Sequence, residues 1–140
     1  MKNEQFTQNL IKVAFCAMAC DLNIDDTEIE NIKEITKKDF YFQGYSVVNE
    51  INTLKHEFNK KGYMLIENIL NEQSELEYSE SQKIILIEIA LGVIKADRIL
   101  ENSEINFIKQ LIINLKIPSD IISLRFGQWD SIDDAKLPIN

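Results

Sequence analysis

The chain predicts an all-α fold, a compact bundle of about six to seven helices built around two helix–linker–helix repeats. Three observations predict it. Apolar residues recur at i, i+3, i+4 spacing over long stretches, the signature of buried helix faces. Only four Gly and two Pro punctuate 140 residues, too few for many short strands and tight turns. Finally, residues 10–35 (LIKVAFCAMACDLNIDDTEIENIKEI) recur as residues 86–111 (LIEIALGVIKADRILENSEINFIKQL), 76 positions later. Leu10/Leu86, Ile11/Ile87, Ala14/Ala90, Asp21/Asp97, Glu28/Glu104, Ile29/Ile105, Ile32/Ile108 and Lys33/Lys109 are identical. Helices reuse Leu and Ile, so the apolar matches are weak evidence. The acidic matches are stronger: an Asp and a Glu seven apart recur at the junction of two apolar segments.

The first helix is expected over about 4–20, with Phe6, Leu10, Val13, Ala14 and Ala17 as its buried stripe. Asp21-Leu22-Asn23-Ile24 is a linker. A second helix starts near Asp26, turns Ile29, Ile32 and Ile35 inward, and fades at Lys37-Lys38, basic residues that suit a helix C-terminus. Asp39 to Gly44 reads as a loop. A helix over about 46–60 presents Val47, Ile51, Leu54 and Phe58; Gly62 breaks it. Tyr63 to Gln73 forms a short helix around Leu65, Ile66, Ile69 and Leu70, and Ser74 to Ser79 is a polar loop. The next helix spans about 80–96, with Ile84, Ile87, Leu91 and Ile94 inward and Ser81, Glu88 and Lys95 as a polar edge. Its Ile content raises the alternative of a strand, but its length without a turn signal favours a helix. Asp97-Arg98-Ile99-Leu100 links it to a helix over about 102–115. Ile117-Pro118-Ser119-Asp120 is a stop and restart, because Pro is tolerated in a first turn. A last short helix reaches about 126. Residues 1–127 thus form one domain. Residues 128–140 form a tail, with Trp129 and Ile132 available to dock.

Composition narrows the function. A 45% hydrophobic content is ample for one core, and the net charge of −8 disfavours nucleic acid and anionic membrane surfaces. The longest apolar stretch, Val13 to Cys20, is far short of the roughly 20 residues that span a bilayer. The N-terminus carries no apolar signal segment, so a cytoplasmic location is expected. Cys16 and Cys20, four apart on one helix face, read as reduced, core-facing residues, with a soft-metal or redox pair as the alternative. His56 is the only histidine and reads as a surface residue. A single histidine excludes most imidazole zinc sites, and there is no Gly-rich phosphate loop and no nucleophile with a plausible base. No enzymatic activity is expected.

The repeated junction is the candidate site. Each copy runs helix, Asp, two residues, apolar, acid, two residues, Glu, helix. Part of this is capping: Asp25-x-x-Glu28 has the form of a capping box, and Glu101 or Asn102 takes the cap before Glu104. Ile24 and Leu100 then sit where a hydrophobic staple begins. Asp21 and Asp97 are less easily explained, since each follows a helix C-terminus, where the macrodipole disfavours negative charge. They are Asx-turn residues or, with Glu28 and Glu104, oxygen ligands for a hard cation such as Ca²⁺ or Mg²⁺. An EF-hand is excluded by register. A loop starting at Asp21 puts Asp26 at the Gly position and Ile32 at the bidentate Glu; one starting at Asp97 puts Asn102 and Ile108 there.

Cys20-Asp21-Leu22-Asn23-Ile24 with Glu28, and Ala96-Asp97-Arg98-Ile99-Leu100 with Glu104, resemble the doubled Ala-Asp-Gly, apolar, Glu pattern of the TerB (tellurite-resistance) family of small helical domains. The resemblance spans most of the chain. It implies an acidic, metal-binding site at Asp21, Glu28, Asp97 and Glu104, and a role in stress or metal response through protein partners. Leu22 and Arg98 stand where the family carries Gly, and Arg98 offers Asp97 or Glu104 a neutralising partner in place of a cation. The leading expectation is a non-enzymatic module that binds a protein partner, with a homo-oligomer compatible with it. The second is a structural or oligomerisation domain whose acids only cap helices. The third is an enzyme using Mg²⁺ for phosphate chemistry.

Overall fold

A computed structural model describes residues 3–20, 47–94 and 102–126, together with Thr27, Ile29, Glu30, Ile32 and Glu34. Six helices run through the described residues: α1 (Asn3–Ala19), α2 (Val47–Lys61), α3 (Tyr63–Gln73), α4 (Glu80–Ile94), α5 (Asn102–Leu115) and α6 (Ser119–Phe126). Thr27, Ile29, Glu30, Ile32 and Glu34 are also helical, inside the stretch expected to be a helix from Asp26. No described residue is in a strand, and the Ile-rich 80–94 segment is one uninterrupted helix.

Local chemistry sets the helix ends. Lys60 and Lys61 close α2, where the dipole favours cations. Gly62 then turns the chain at φ 61, ψ −139, a conformation that only glycine adopts without strain. Its N–H donates to Phe58 O (2.8 Å) and its carbonyl accepts from Leu65 N (3.1 Å), so α2 and α3 are joined by a single residue. Ser74 ends α3, its hydroxyl donating to Asn71 O at 2.7 Å. α4 opens with a capping box: Gln82 N donates to Ser79 Oγ (3.1 Å) and Ser79 N donates to Gln82 Oε1 (2.9 Å). α5 stops at Lys116, left-handed at φ 58. There Ile117 N reaches Ile112 O (3.2 Å) and Lys116 N reaches Ile113 O (3.0 Å), the Schellman pattern. Pro118 follows, and its carbonyl accepts from Ile122 N (3.3 Å) as α6 begins.

α1 is the central helix, packed on α2, α3, α4 and α5. Every residue from Val13 to Cys20 is buried. The expected stripe of Phe6, Leu10, Val13, Ala14 and Ala17 is inside, and the buried surface is wider than that stripe, because four neighbours leave this part of the helix no free side. In α4 the expected Ile87, Leu91 and Ile94 are buried with Leu86, Ile89 and Ala90, while Ile84 is only half-buried. Each fully buried Leu or Ile side chain contributes about 1.5–3 kcal/mol.

Burial repeats with the sequence. Leu10 and Leu86, Ile11 and Ile87, Ala14 and Ala90, Ile29 and Ile105, and Ile32 and Ile108 are buried in both copies, while Glu30 and Asn106, and Glu34 and Gln110, are exposed in both. The lead helices of the two copies, α1 and α4, share the most extensive contact among the described helices. They also start together, because the Phe6 and Tyr78 rings meet edge to face at 6.1 Å. α3 runs antiparallel to α1: Gln73, at its end, reaches Asn9, at the start of α1.

Candidate functional site

Of the four acids singled out in the sequence, Asp21, Glu28 and Asp97 lie outside the described residues, as does Arg98. Glu104 is described. It occupies the third position of α5 and is 8% exposed. A carboxylate this buried must be hydrogen-bonded, ion-paired or bound to a cation. Its position is also the one a capping Glu takes.

The described helices fix which end of the bundle Glu104 occupies. Tyr63, at the start of α3, lies by the Cys16–Cys20 end of α1; burial raises its phenol above the ordinary range, with Glu67, Cys20 and Cys16 adding to the rise. Tyr63 also faces Asn106 and Phe107 across a groove. The start of α5, with Glu104, therefore lies at the end of the molecule where α1 finishes. Among the described residues no group of three or more His, Cys, Asp and Glu is arranged to hold a metal ion.

Two features, one buried and one at the surface, are not evident in the sequence. The first is a chain of amides: Tyr78 Oη donates to Gln73 Oε1 (2.5 Å), Gln73 Nε2 donates to Asn9 Oδ1 (3.4 Å) and Ile69 O (3.0 Å), and Asn9 Nδ2 donates to Gln5 O (2.9 Å). It ties α1, α3 and the turn before α4 together, and burial pushes the Tyr78 phenol far above its ordinary value. No spacing rule announces it, because Asn9 lies 64 residues from Gln73 along the chain. The second is the groove between α3 and α5. Leu70 and Phe107 are buried at its base, and Tyr63, Glu67, Asn106 and Gln110 stand exposed along it. Asn114 Nδ2 donates to Leu70 O (2.7 Å), which sets the two helices side by side in the same direction.

Cys16 and Cys20 are buried thiols outside any disulfide, facing the core as the sequence implied. Burial drives the Cys16 thiol far up; Cys20 and Glu72 add to this and Lys12 opposes it. A thiol held protonated in apolar surroundings is a poor nucleophile and a poor metal ligand. His56 is exposed on α2. No described helix is long and apolar enough to cross a membrane.

No family model matches the chain, and neither a curated protein nor a solved structure does. The likeness to TerB domains therefore rests on the two junction motifs.

Proposed function

We propose that the chain is a non-enzymatic TerB-like helical module that works through a protein partner in stress or metal response. In this reading a calcium or magnesium ion is held where Asp21, Glu28, Asp97 and Glu104 converge, and an approximate two-fold axis relates the two helix–linker–helix units. The observation that carries it is the matched burial of the two copies: the same residues turn inward 76 positions apart, and their lead helices pack on each other from a common start. A two-fold relation between the copies would bring equivalent junctions toward one axis. The burial of Glu104 at the end of the bundle where α1 finishes supports the same arrangement. A convergent set of carboxylate oxygens suits a hard divalent cation.

The runner-up is a structural or oligomerisation domain whose junction acids only cap helices. Two observations favour it: Glu104 sits at the third helical position, as a capping box requires, and the chain uses that device at Ser79 and Gln82. Calcium and magnesium titrations followed by amide NMR separate the two. The module reading expects saturable shifts at both junctions together, around 20–28 and 96–104. Spectra unchanged by either ion leave the capping reading.

A further inference from the structure

We propose that the groove between α3 and α5 is a docking surface for a basic amphipathic helix of a partner protein. This rests on the reading of the chain as a module that works through a protein partner, and it names the surface and the chemistry of that partner. The groove encloses about 690 Å³. From Tyr63 to Asn71 its α3 wall runs about 12 Å at 1.5 Å per residue, a little over two helical turns. That length takes apolar anchors at i, i+3 or i+4, and i+7 of a bound helix. Leu70 and Phe107 close its floor but are almost fully buried, so the apolar surface offered to a partner lies along its rim.

Three of the four large exposed hydrophobics among the described residues flank this groove. Tyr63 lines it. Met64, 62% exposed, stands three and seven residues before Glu67 and Asn71 and so extends the α3 wall. Ile113, 65% exposed, stands seven and three residues after Asn106 and Gln110 and extends the α5 wall. Scattered surface apolar residues need no explanation, but a cluster rimming one groove marks an interaction site.

Charge selects the partner. Among the described residues, Glu67 is the one acidic or basic residue lining the groove. It pairs with no Lys or Arg among the described residues. α3 carries no basic residue to neutralise it, and the whole chain carries −8. A Lys or Arg beside the apolar anchors of the incoming helix would meet Glu67. A small molecule fits less well, because typical pocket ligands bury about 70–90% of their surface, and here the walls are exposed.

The test titrates ¹⁵N-labelled full-length chain with a short synthetic amphipathic helix of lysine and leucine. A scrambled peptide of the same composition and a glutamate–leucine counterpart are run beside it. Docking predicts saturable shifts at 63–71 and 106–113, affinity at least about tenfold weaker for both control peptides, and a loss of about fivefold to tenfold in Glu67→Lys, with circular dichroism unchanged. Saturable shifts centred on another face, or equal binding of the scrambled peptide, overturn the groove and leave a partner-binding module. No saturable shift from any peptide overturns both. Concentration-dependent self-association abolished by Met64→Ser/Ile113→Ser would assign the groove to a second copy of the chain and overturn the proposal as well.

Discussion

Cys16 and Gly92 occupy the same position in the two repeats, yet Cys16 is 0% exposed and Gly92 faces solvent. The lead helices α1 and α4 share their inner faces almost residue for residue. Their outer faces differ because their neighbours differ. On α1 the outer stripe is Glu4, Gln8, Lys12, Cys16 and Cys20, and it passes from exposed to fully buried as α2 and α3 close over it. Gln8 Nε2 donates to Glu50 of α2 (3.2 Å), and Lys12 pairs with Glu72 of α3 (3.6 Å). On α4 the matching stripe of Glu80, Ile84, Glu88 and Gly92 stays at least partly exposed. The repeat thus encodes a shared inner face, while the inserted α2 and α3 decide what the outer face becomes.

The largest expected effect separates the outer faces. Cys16→Glu places a carboxylate where no water reaches, and should cost about 4–5 kcal/mol or more, enough to abolish cooperative unfolding. Gly92→Glu should leave urea melts unchanged or slightly improved. Equal damage from both would mean that the outer face of α4 is covered too. The inner faces should behave alike. Leu10→Ala and Leu86→Ala, both at 0% exposure, should each cost about 2–5 kcal/mol. A difference between them much beyond about 1 kcal/mol in the same melts would break the equivalence of the two copies.

The pH dependence belongs to the α1 side. The Cys16 thiol is raised in the folded chain above its ordinary 9.0, so the unfolded state releases that proton first. Stability should be complete below about 9 and fall as pH rises above it. Cys16→Ala should make that loss smaller, and above about 10, the ordinary Tyr value, Tyr78 adds its own. An alkaline loss undiminished in Cys16→Ala would show that Cys16 does not drive it. The smallest effect lies on α4: among the described residues a Cβ at Gly92 meets no atom within 4 Å, so Gly92→Ala should stabilise by about 0.5–1 kcal/mol through helix propensity.

The helices were legible because their signals are local. Tyr63–Gln73 and Asn102–Leu115 match the expected spans, and the other described helices lie where they were expected to within a residue or two, so far as the described residues reach. Ile29 and Ile32 face inward as their spacing implies. The Ser79–Gln82 capping box could have been read from its Ser-x-x-Gln spacing. Lys116 could not, because a lysine in a left-handed turn carries no composition cue. The enclosure of Val13 to Cys20, the Asn9–Gln73–Tyr78 chain and the α3–α5 groove depend on which helices meet, and helical periodicity records only that a face is buried. Of the candidate site, the position of Glu104 at the start of α5 was legible, as was its role as a candidate cap; its burial came only with the packing.

The central claim is that the two junctions meet and their acids act together. The most direct test is thermal unfolding of the native chain and of Asp21→Asn/Asp97→Asn, with and without excess calcium or magnesium. An ion bound only by the folded state raises the melting temperature according to its free concentration over Kd. The account predicts such a rise for the native chain, lost in the double variant while helicity by circular dichroism is kept. A native melting temperature unmoved by both ions would contradict it.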